Sequence, residues 1–259
     1  QNLETQEILG EWELNPSQQR FWESTKKYIL FSGGKGCGKS HMLVLKATEQ
    51  ALRYPKNFIL MGRRTYPELR DSLIKEFFTT VPDALIKDYL KAEGKVVFYN
   101  GSEIIFRHLD TIAAEELRSL NLGSFFIDQA EEIEKDVFLE LRTRLRREGV
   151  EERRGYLSCN PALTWLFGEF KQNPKPEYEV IEASMMENAK NLPAEYIQDA
   201  MSLPESYRRQ YVEGIWDMSL LSDNAVFARE HIEKLTGMEQ KSLREREGLQ
   251  IFKEFVPGH

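Results

Sequence analysis

The chain has 259 residues, 41% of them apolar, and a formal charge of −7. That length holds one large α/β domain with a small appendage, and the charge excludes a uniformly basic nucleic-acid binder while leaving room for a local basic surface. No apolar run is long enough for a membrane span. The start Gln1-Asn2-Leu3-Glu4 has neither the pattern of a secretory leader nor an initiator Met, so a trimmed N-terminus is expected. Two cysteines, Cys37 and Cys159, form no disulfide framework and fit a reducing cytosol.

In chain order, the apolar run at 28–32 ends in glycines and predicts a buried strand, followed by a helix over 41–53. Residues 58–61 (FILM) predict a second buried strand, and 66–80 have helical spacing. Residues 96–99, then Asn100-Gly101, then 103–108 predict a β-hairpin with Asn-Gly as its turn. Residues 125–128 (FFID) predict a buried strand ending in acid, and 137–147 an amphipathic helix. Arg142, Arg144, Arg146 and Arg147 form a basic cluster there, read as a solvated helix face. Strands at 156–159 and 180–183 and helices at 193–200 and 204–212 complete the pattern, the helices with Pro near their first turns. Strands alternating with helices imply a mainly parallel sheet covered on both faces. Beyond Trp216 the pattern weakens, and residues 221–259 are expected to be a lid or linker after a domain spanning 1–220.

Gly33-Gly34-Lys35-Gly36-Cys37-Gly38-Lys39-Ser40 fits G-x-x-x-x-G-K-[ST] at every position, with a strand before it and a helix after. Glycines let main-chain N–H groups turn inward around phosphate oxygens, and the helix presents its positive end to the same anion. Lys39 is expected on the β- and γ-phosphates, Ser40 on Mg²⁺, and His41 beside the nucleotide. Asp128, closing a buried strand, is the expected second Mg²⁺ ligand. The next residue is Gln129, an amide that orients water but is a poor base, so either another acid helps or the Gln was introduced in place of a Glu to trap ATP. Glu131 and Glu132 are therefore candidates for activating water, or else acids favoured at a helix start.

These residues resemble the ATPase domain of a tailed-phage terminase large subunit, closest to the branch with PBSX-type prophage terminases. Asn15-Pro16-Ser17-Gln18-Gln19 resembles the family's adenine-binding segment, which implies nucleotide-binding roles for Gln18 and Gln19. The glycine loop resembles its G-G-R-G-S-G-K-S, and Arg63-Arg64-Thr65 with Leu69-Arg70-Asp71-Ser72 resembles its R-K-T…L-R-D-S. Leu117-Arg118 ahead of Phe126-Ile127-Asp128-Gln129-Ala130-Glu131-Glu132-Ile133 resembles L-R-G…I-D-E-A-E-E-I. Ser158-Cys159-Asn160-Pro161 resembles the coupling motif, and Tyr211-Val212-Glu213-Gly214-Ile215-Trp216 the Y-x-x-G-x-W ending.

The resemblance implies a P-loop NTPase fold of the ASCE type and an ATP-hydrolysing motor that drives double-stranded DNA into a procapsid. It implies ATP and Mg²⁺, a ring of subunits, a small terminase subunit, a portal protein, and the cytoplasm of a bacterial host. It gives Arg118 the role of an arginine offered to a neighbouring subunit and Asn160 that of a γ-phosphate sensor. Lys35 stands where the family often has a sensing Arg, with the charge kept and the fork lost. The run Phe252–His259 resembles the approach to the family's nuclease, which this chain is expected to lack. Two other readings share the phosphate loop: a helicase-like nucleic-acid-stimulated ATPase, and an ATP-binding module that hydrolyses little because of Gln129. A GTPase is disfavoured by the absence of N-K-x-D, and a nucleoside kinase by the absence of a basic lid.

Overall fold

A computed structural model of the protein describes residues 13–110 and 117–216. By internal contacts the chain divides into Gln1–Trp216 and Asp217–His259, and every described residue belongs to the first unit. The segment expected to be a lid or linker, 221–259, lies outside the described residues.

Helix α1 (Pro16–Glu23) starts from a reciprocal cap. Asn15 Oδ1 accepts from Gln18 N at 2.9 Å, and Gln18 Oε1 accepts from Asn15 N at 3.1 Å. The buried ring of Phe21 stacks on Phe31 of strand β1 (Tyr28–Gly33) at 5.1 Å between centroids. β1 is buried along its whole length and feeds the glycine loop, from which α2 (Lys39–Arg53) rises. Strand β2 (Phe58–Arg63) leads into one continuous helical segment, α3, running through Tyr66–Glu68, Leu69–Ile74 and Lys75–Thr80. Its middle part is a π-helical turn, a widening common at functional sites.

Strands β3 (Ile86–Leu90), β4 (Lys95–Phe98) and β5 (Glu103–His108) follow, then β6 (Ser124–Ile127), α4 (Lys135–Arg144), β7 (Arg154–Cys159) and β8 (Tyr178–Ala183). A 3₁₀ segment, Met185–Asn191, and helices α5 (Ala194–Met201) and α6 (Glu205–Tyr211) close the described chain.

The strands form an eight-stranded sheet in the order β3-β4-β5-β2-β6-β7-β1-β8. From β5 to β8 every neighbouring pair is parallel; β3, β4 and β5 pair antiparallel. Alternation along β1 supplies both cores. Ile29 and Phe31 join Met42, Leu43 and Phe77 from α2 and α3, while Tyr28 and Leu30 join Phe138 and Leu141 from α4. The mixed α/β architecture matches the sequence reading. β7 lies between the strand that feeds the glycine loop and the strand that ends at Asp128. The C-terminal ends of β1, β2, β6 and β7 thus share one edge, where open α/β sheets bind ligands.

The stretch after β6 differs from the sequence reading at its end and in its arginines. Helix α4 stops at Arg144 rather than 147, because Leu145 pairs with Leu122 and the amides of Arg146 and Arg147 turn to Leu122 O, each at 3.1 Å. The arginine cluster is only partly a solvated face: Arg146 is exposed, and Arg142, Arg144 and Arg147 are half-buried. Arg142 stacks over Tyr28 at 4.9 Å, Arg144 donates to Arg118 O, Arg146 to Leu120 O, and Arg147 to Lys56 O. Arg144 and Arg146 thus hold the chain before β6, and Arg142 and Arg147 hold β1 and the turn before β2.

Candidate active site

The glycine loop bends because Gly36 and Gly38 hold φ of 78° and 85°, a region that side chains rarely adopt. A Cβ at Gly38 would also lie 2.5 Å from Gln18 Nε2. That amide reaches Cys37 O at 3.4 Å, and Asn188 Nδ2 holds Gly36 O at 2.7 Å, so α1 and the 3₁₀ segment brace the loop from two sides. The end of α6 and the residues after it brace it from a third. Lys35 N donates to Tyr211 O at 2.6 Å, and the exposed Lys35 ammonium lies 4.5 Å from the Tyr211 ring centroid. Gly214, at φ 73°, sits so close that a Cβ there would overlap Ala183 O and lie 3.0 Å from Gly33 Cα.

Inside the loop, buried Lys39 donates from Nζ to Gly33 O and Gly34 O, both at 2.8 Å, and to Asn160 Oδ1 at 3.3 Å. Buried Cys37 lies beside it, its Sγ 3.7 Å from Nζ. Burial pushes the Cys37 thiol above its usual range, against the pull of the Lys39 charge. Ser40 Oγ donates to the Asp128 carboxylate, 3.0 and 3.1 Å from its two oxygens. Asp128 is 2% exposed and accepts a further bond from Ser158 Oγ at 2.5 Å. A carboxylate beside a hydroxyl is a hard-oxygen pair that suits Mg²⁺, whose remaining ligands are typically phosphate oxygens and water. Among the described residues no cluster of three or more His, Cys, Asp or Glu forms a self-sufficient metal cage. Ser40 and Asp128 therefore fit a metal that arrives with phosphates.

Gln129 adopts a left-handed backbone, φ 52°, and its side-chain oxygen accepts from Arg63 Nη2. Arg63 spans from there to Ser72 Oγ in the π-helical turn, with Nη1 4.0 Å from Asp128 Oδ2. Glu131 Oε1 accepts from Asn160 N at 3.0 Å and Asn160 Nδ2 at 2.7 Å, while its Oε2 is buried without a partner among the described residues. Burial raises the Glu131 carboxyl above its usual range, opposed by the Asn160 hydrogen bonds and the Lys39 charge. Burial also raises Glu132, helped by Glu68, but the cations facing it are Arg63 and Arg64.

A cleft of about 470 Å³ opens beside Gly38 and His41, lined also by Gln18, Asn188 and Asn191. His41 Nδ1 lies 2.8 Å from Glu76 Oε1, and that contact holds the Glu76 carboxyl below its ordinary range. Gln19 is exposed, bonds Glu23 at 2.9 Å, and does not line the cleft. Arg118 is exposed, ahead of β6. The fold thus brings Lys39, Ser40, Asp128, Gln129, Glu131 and Asn160 to one edge. Arg63, Ser158, Asn188 and Tyr211 join them from elements whose site roles the sequence reading did not assign. Arg63 had a signal, its place in the R-R-T segment at the end of a predicted strand.

The model of the phage terminase large subunit family matches residues 25–213. Among solved structures, the chain is similar to the large terminase of a thermophilic bacteriophage in complex with ADP. Identity is 15% and the TM-score 0.67, over 80% of this chain and 54% of that one. It is similar to the ATPase domain of the Thermus phage P74-26 large terminase at 15% identity and TM-score 0.61, over 81% of this chain and 97% of that one. The bacteriophage HK97 large terminase matches at 11% identity and TM-score 0.55, over 78% and 50%. The chain spans about half the length of the ADP-bound thermophilic-phage protein and of the HK97 protein, and no curated protein sequence matches it. The family match covers most of the chain and includes the glycine loop, Asp128 and Asn160: the protein belongs to the phage terminase large subunit family.

Proposed function

We propose that this chain is the ATP-hydrolysing motor domain of a DNA-packaging terminase, converting ATP turnover into translocation of double-stranded DNA into a procapsid. The observation that carries the reading is the convergence of Lys39, Ser40 and Asp128 at the ends of β1 and β6. Family membership supports the packaging role. In an assembled motor the partners are DNA, a small terminase subunit and a portal protein, in the cytoplasm of a phage-bearing bacterium. Residues 221–259 act as a lid or linker.

Each residue has a separable task. Phosphoryl transfer is catalysed by positioning and charge neutralisation. Lys39, held by two loop carbonyls, moves its ammonium to the β- and γ-phosphates, and the loop amides hold the phosphate chain. Ser40 and Asp128 would hold Mg²⁺, which would neutralise charge on the phosphates. Gln129, pinned by Arg63, orients the attacking water, and Asn160 senses the γ-phosphate through Lys39. Lys35 stands on the loop's outer arm, its charge parked on Tyr211 in this structure. The cleft beside His41, Gln18 and Asn191 takes the nucleoside. Arg118, exposed, completes the site of a neighbouring subunit in a ring.

Phosphate release from Mg-ATP, measured with and without double-stranded DNA, tests the reading. Turnover that rises with DNA and vanishes in Lys39→Ala is expected. Hydrolysis unaffected by that substitution refutes it. The ATP-binding reading, which rests on Gln129, predicts tight Mg-ATP binding with no phosphate release. With a charge of −7, the isolated chain should bind DNA weakly and salt-dependently, and a ring should add affinity by multivalency.

A further inference from the structure

A water-activating group at this site needs an accepting atom near the γ-phosphate end of the loop and a fixed orientation. Gln129 lacks a basic accepting atom. Its side chain is an amide, whose carbonyl oxygen is occupied by Arg63. Its left-handed backbone sets the turn that follows β6, and that turn carries two acids, Glu131 and Glu132, into different surroundings.

Glu132 faces Arg63, Arg64 and Glu68, on the side where α3 begins. Glu131 faces the phosphate loop. Its Oε1 is fixed by the main-chain and side-chain N–H groups of Asn160, and the same Asn160 gives its Oδ1 to Lys39 Nζ. One residue therefore joins this carboxylate to the ammonium that meets the γ-phosphate. The second oxygen, Oε2, is buried and has no partner among the described residues; Glu132 Oε2 shares that trait, so the link through Asn160 to Lys39 is what singles out Glu131. An acceptor atom desolvated and left open costs stability, and it persists where a ligand or water completes it.

We propose that Glu131 is the carboxylate that takes the proton of the attacking water, with Asn160 as the positioning residue that holds it. The assignment rests on the ATPase reading above. In the step, one O–H bond of water breaks and its proton goes to Glu131 Oε2. The water oxygen bonds to the γ-phosphorus. The bond from that phosphorus to the bridging oxygen breaks, and its electron pair leaves on ADP. Glu131 then returns the proton to solvent and is reset. A γ-phosphate that draws Lys39 toward itself frees Asn160 Oδ1, while the Asn160 donors remain on Glu131. The base is thus held by the residue that registers the phosphate's arrival.

The test compares Glu131→Gln, Glu132→Gln and Asn160→Ala in the full chain, reading kcat and KM for Mg-ATP and the Kd for Mg-ATPγS. Glu131→Gln is expected to lower kcat by about 10²–10⁴-fold, the usual worth of a general base. Its ATPγS affinity should stay within about threefold of wild type, since the loss is confined to the transition state. Glu132→Gln should leave kcat within about threefold, and Asn160→Ala should lower kcat more than it changes Kd. Glu131→Asp, which keeps the charge but withdraws the carboxylate from Asn160, should also lose rate and guards against a folding artefact in the amide variant. Near-wild-type kcat in Glu131→Gln, or an equal loss in Glu132→Gln, overturns the assignment. So does a wild-type chain that binds Mg-ATP yet never hydrolyses it, alone or with DNA. Turnover that survives Lys39→Ala would sink the ATPase reading itself, whatever the Glu131 variants do.

Discussion

Arg144 donates from Nη1 to the main-chain carbonyl of Arg118 at 2.5 Å, so the last turn of α4 grips the residue read as reaching a neighbouring site. Glu140, 3.2 Å from Arg144 Nη2, steadies the donor. α4 follows the turn that carries Glu131 and Glu132, so one helix connects the nucleotide edge to the Arg118 backbone. Arg118→Ala should spare ATP affinity yet remove assembly-stimulated hydrolysis, by roughly 10³-fold if it acts as arginines of this kind do. Mixing it with Lys39→Ala subunits should restore activity, because each variant supplies what the other lacks. Arg144→Ala should weaken that complementation partially. ATPase rate against mixing ratio, in protein able to assemble, is the measurement; no gain above the separate variants would assign Arg118 to the surface.

Removing the Ser40 hydroxyl tests the metal pair. Ser40→Ala leaves Asp128 with Ser158 as its hydroxyl partner. Mg²⁺ should then contribute less to nucleotide binding, so ATP affinity with Mg²⁺ should fall toward the value in EDTA. Titration calorimetry in both buffers decides it, and an undiminished Mg²⁺ effect would move the metal elsewhere.

Gly38→Ala combines two penalties, a left-handed backbone and a Cβ 2.5 Å from Gln18 Nε2. The backbone alone costs about 1–3 kcal/mol. Expected outcomes are a lower unfolding midpoint in urea and loss of nucleotide binding. Gln18→Ala should relieve the contact but not the backbone, and so rescue only part of the stability.

Arg63→Lys keeps the charge but loses the planar fork that spans Gln129 and Ser72. The Gln129 amide should then lose its fixed orientation, and kcat should fall by about tenfold or more with Kd for ATP little changed. An unaltered kcat would mean that Arg63 serves the fold alone.

Glu131 also makes a prediction about stability. Burial raises its folded-state pKa above the unfolded value. Between those two values the folded chain holds more protons than the unfolded one, so stability falls as pH rises through the window. Above the window the cost is fully present. Glu131→Gln should therefore stabilise the fold at pH 8 by an amount on the order of 1 kcal/mol and raise its melting temperature. The gain should shrink as pH drops below the raised carboxyl pKa. A lower melting temperature at pH 8 would contradict this account.

Much of the fold was legible because buried parallel strands are short apolar runs with clear ends, as at Tyr28 and Phe125. The hairpin was legible from Asn100-Gly101. Helix α1 was not, since its buried face is mainly Phe21, too little for a period. The π-helical turn adds a residue that 3.6-residue spacing cannot distinguish from an ordinary helix. The end of α4 was misread because Leu145 continues the apolar pattern while its backbone pairs with Leu122. In the site, the glycine loop and Asp128 were legible because their spacing is local. Arg63, Ser158 and Asn188 were not assigned, because their partners lie on distant strands and loops. Glu131 and Glu132 were indistinguishable in sequence; the Asn160 contacts separate them.

The close seating of Gly214 against Gly33 bears on where this protein can be cut. The last strand of the sheet ends at Ala183, and all the nucleotide motifs lie before that point except the tail from Tyr211. Yet the outer wall of the phosphate loop is made by residues 211–214. A chain ended after β8 would keep the loop, Asp128 and Asn160 and still bind nucleotide poorly, for want of backing. The shortest autonomous nucleotide-binding piece therefore runs past Gly214, and limited proteolysis between α5 and α6 should be slowed by ATPγS, although that stretch lies outside the sequence motifs.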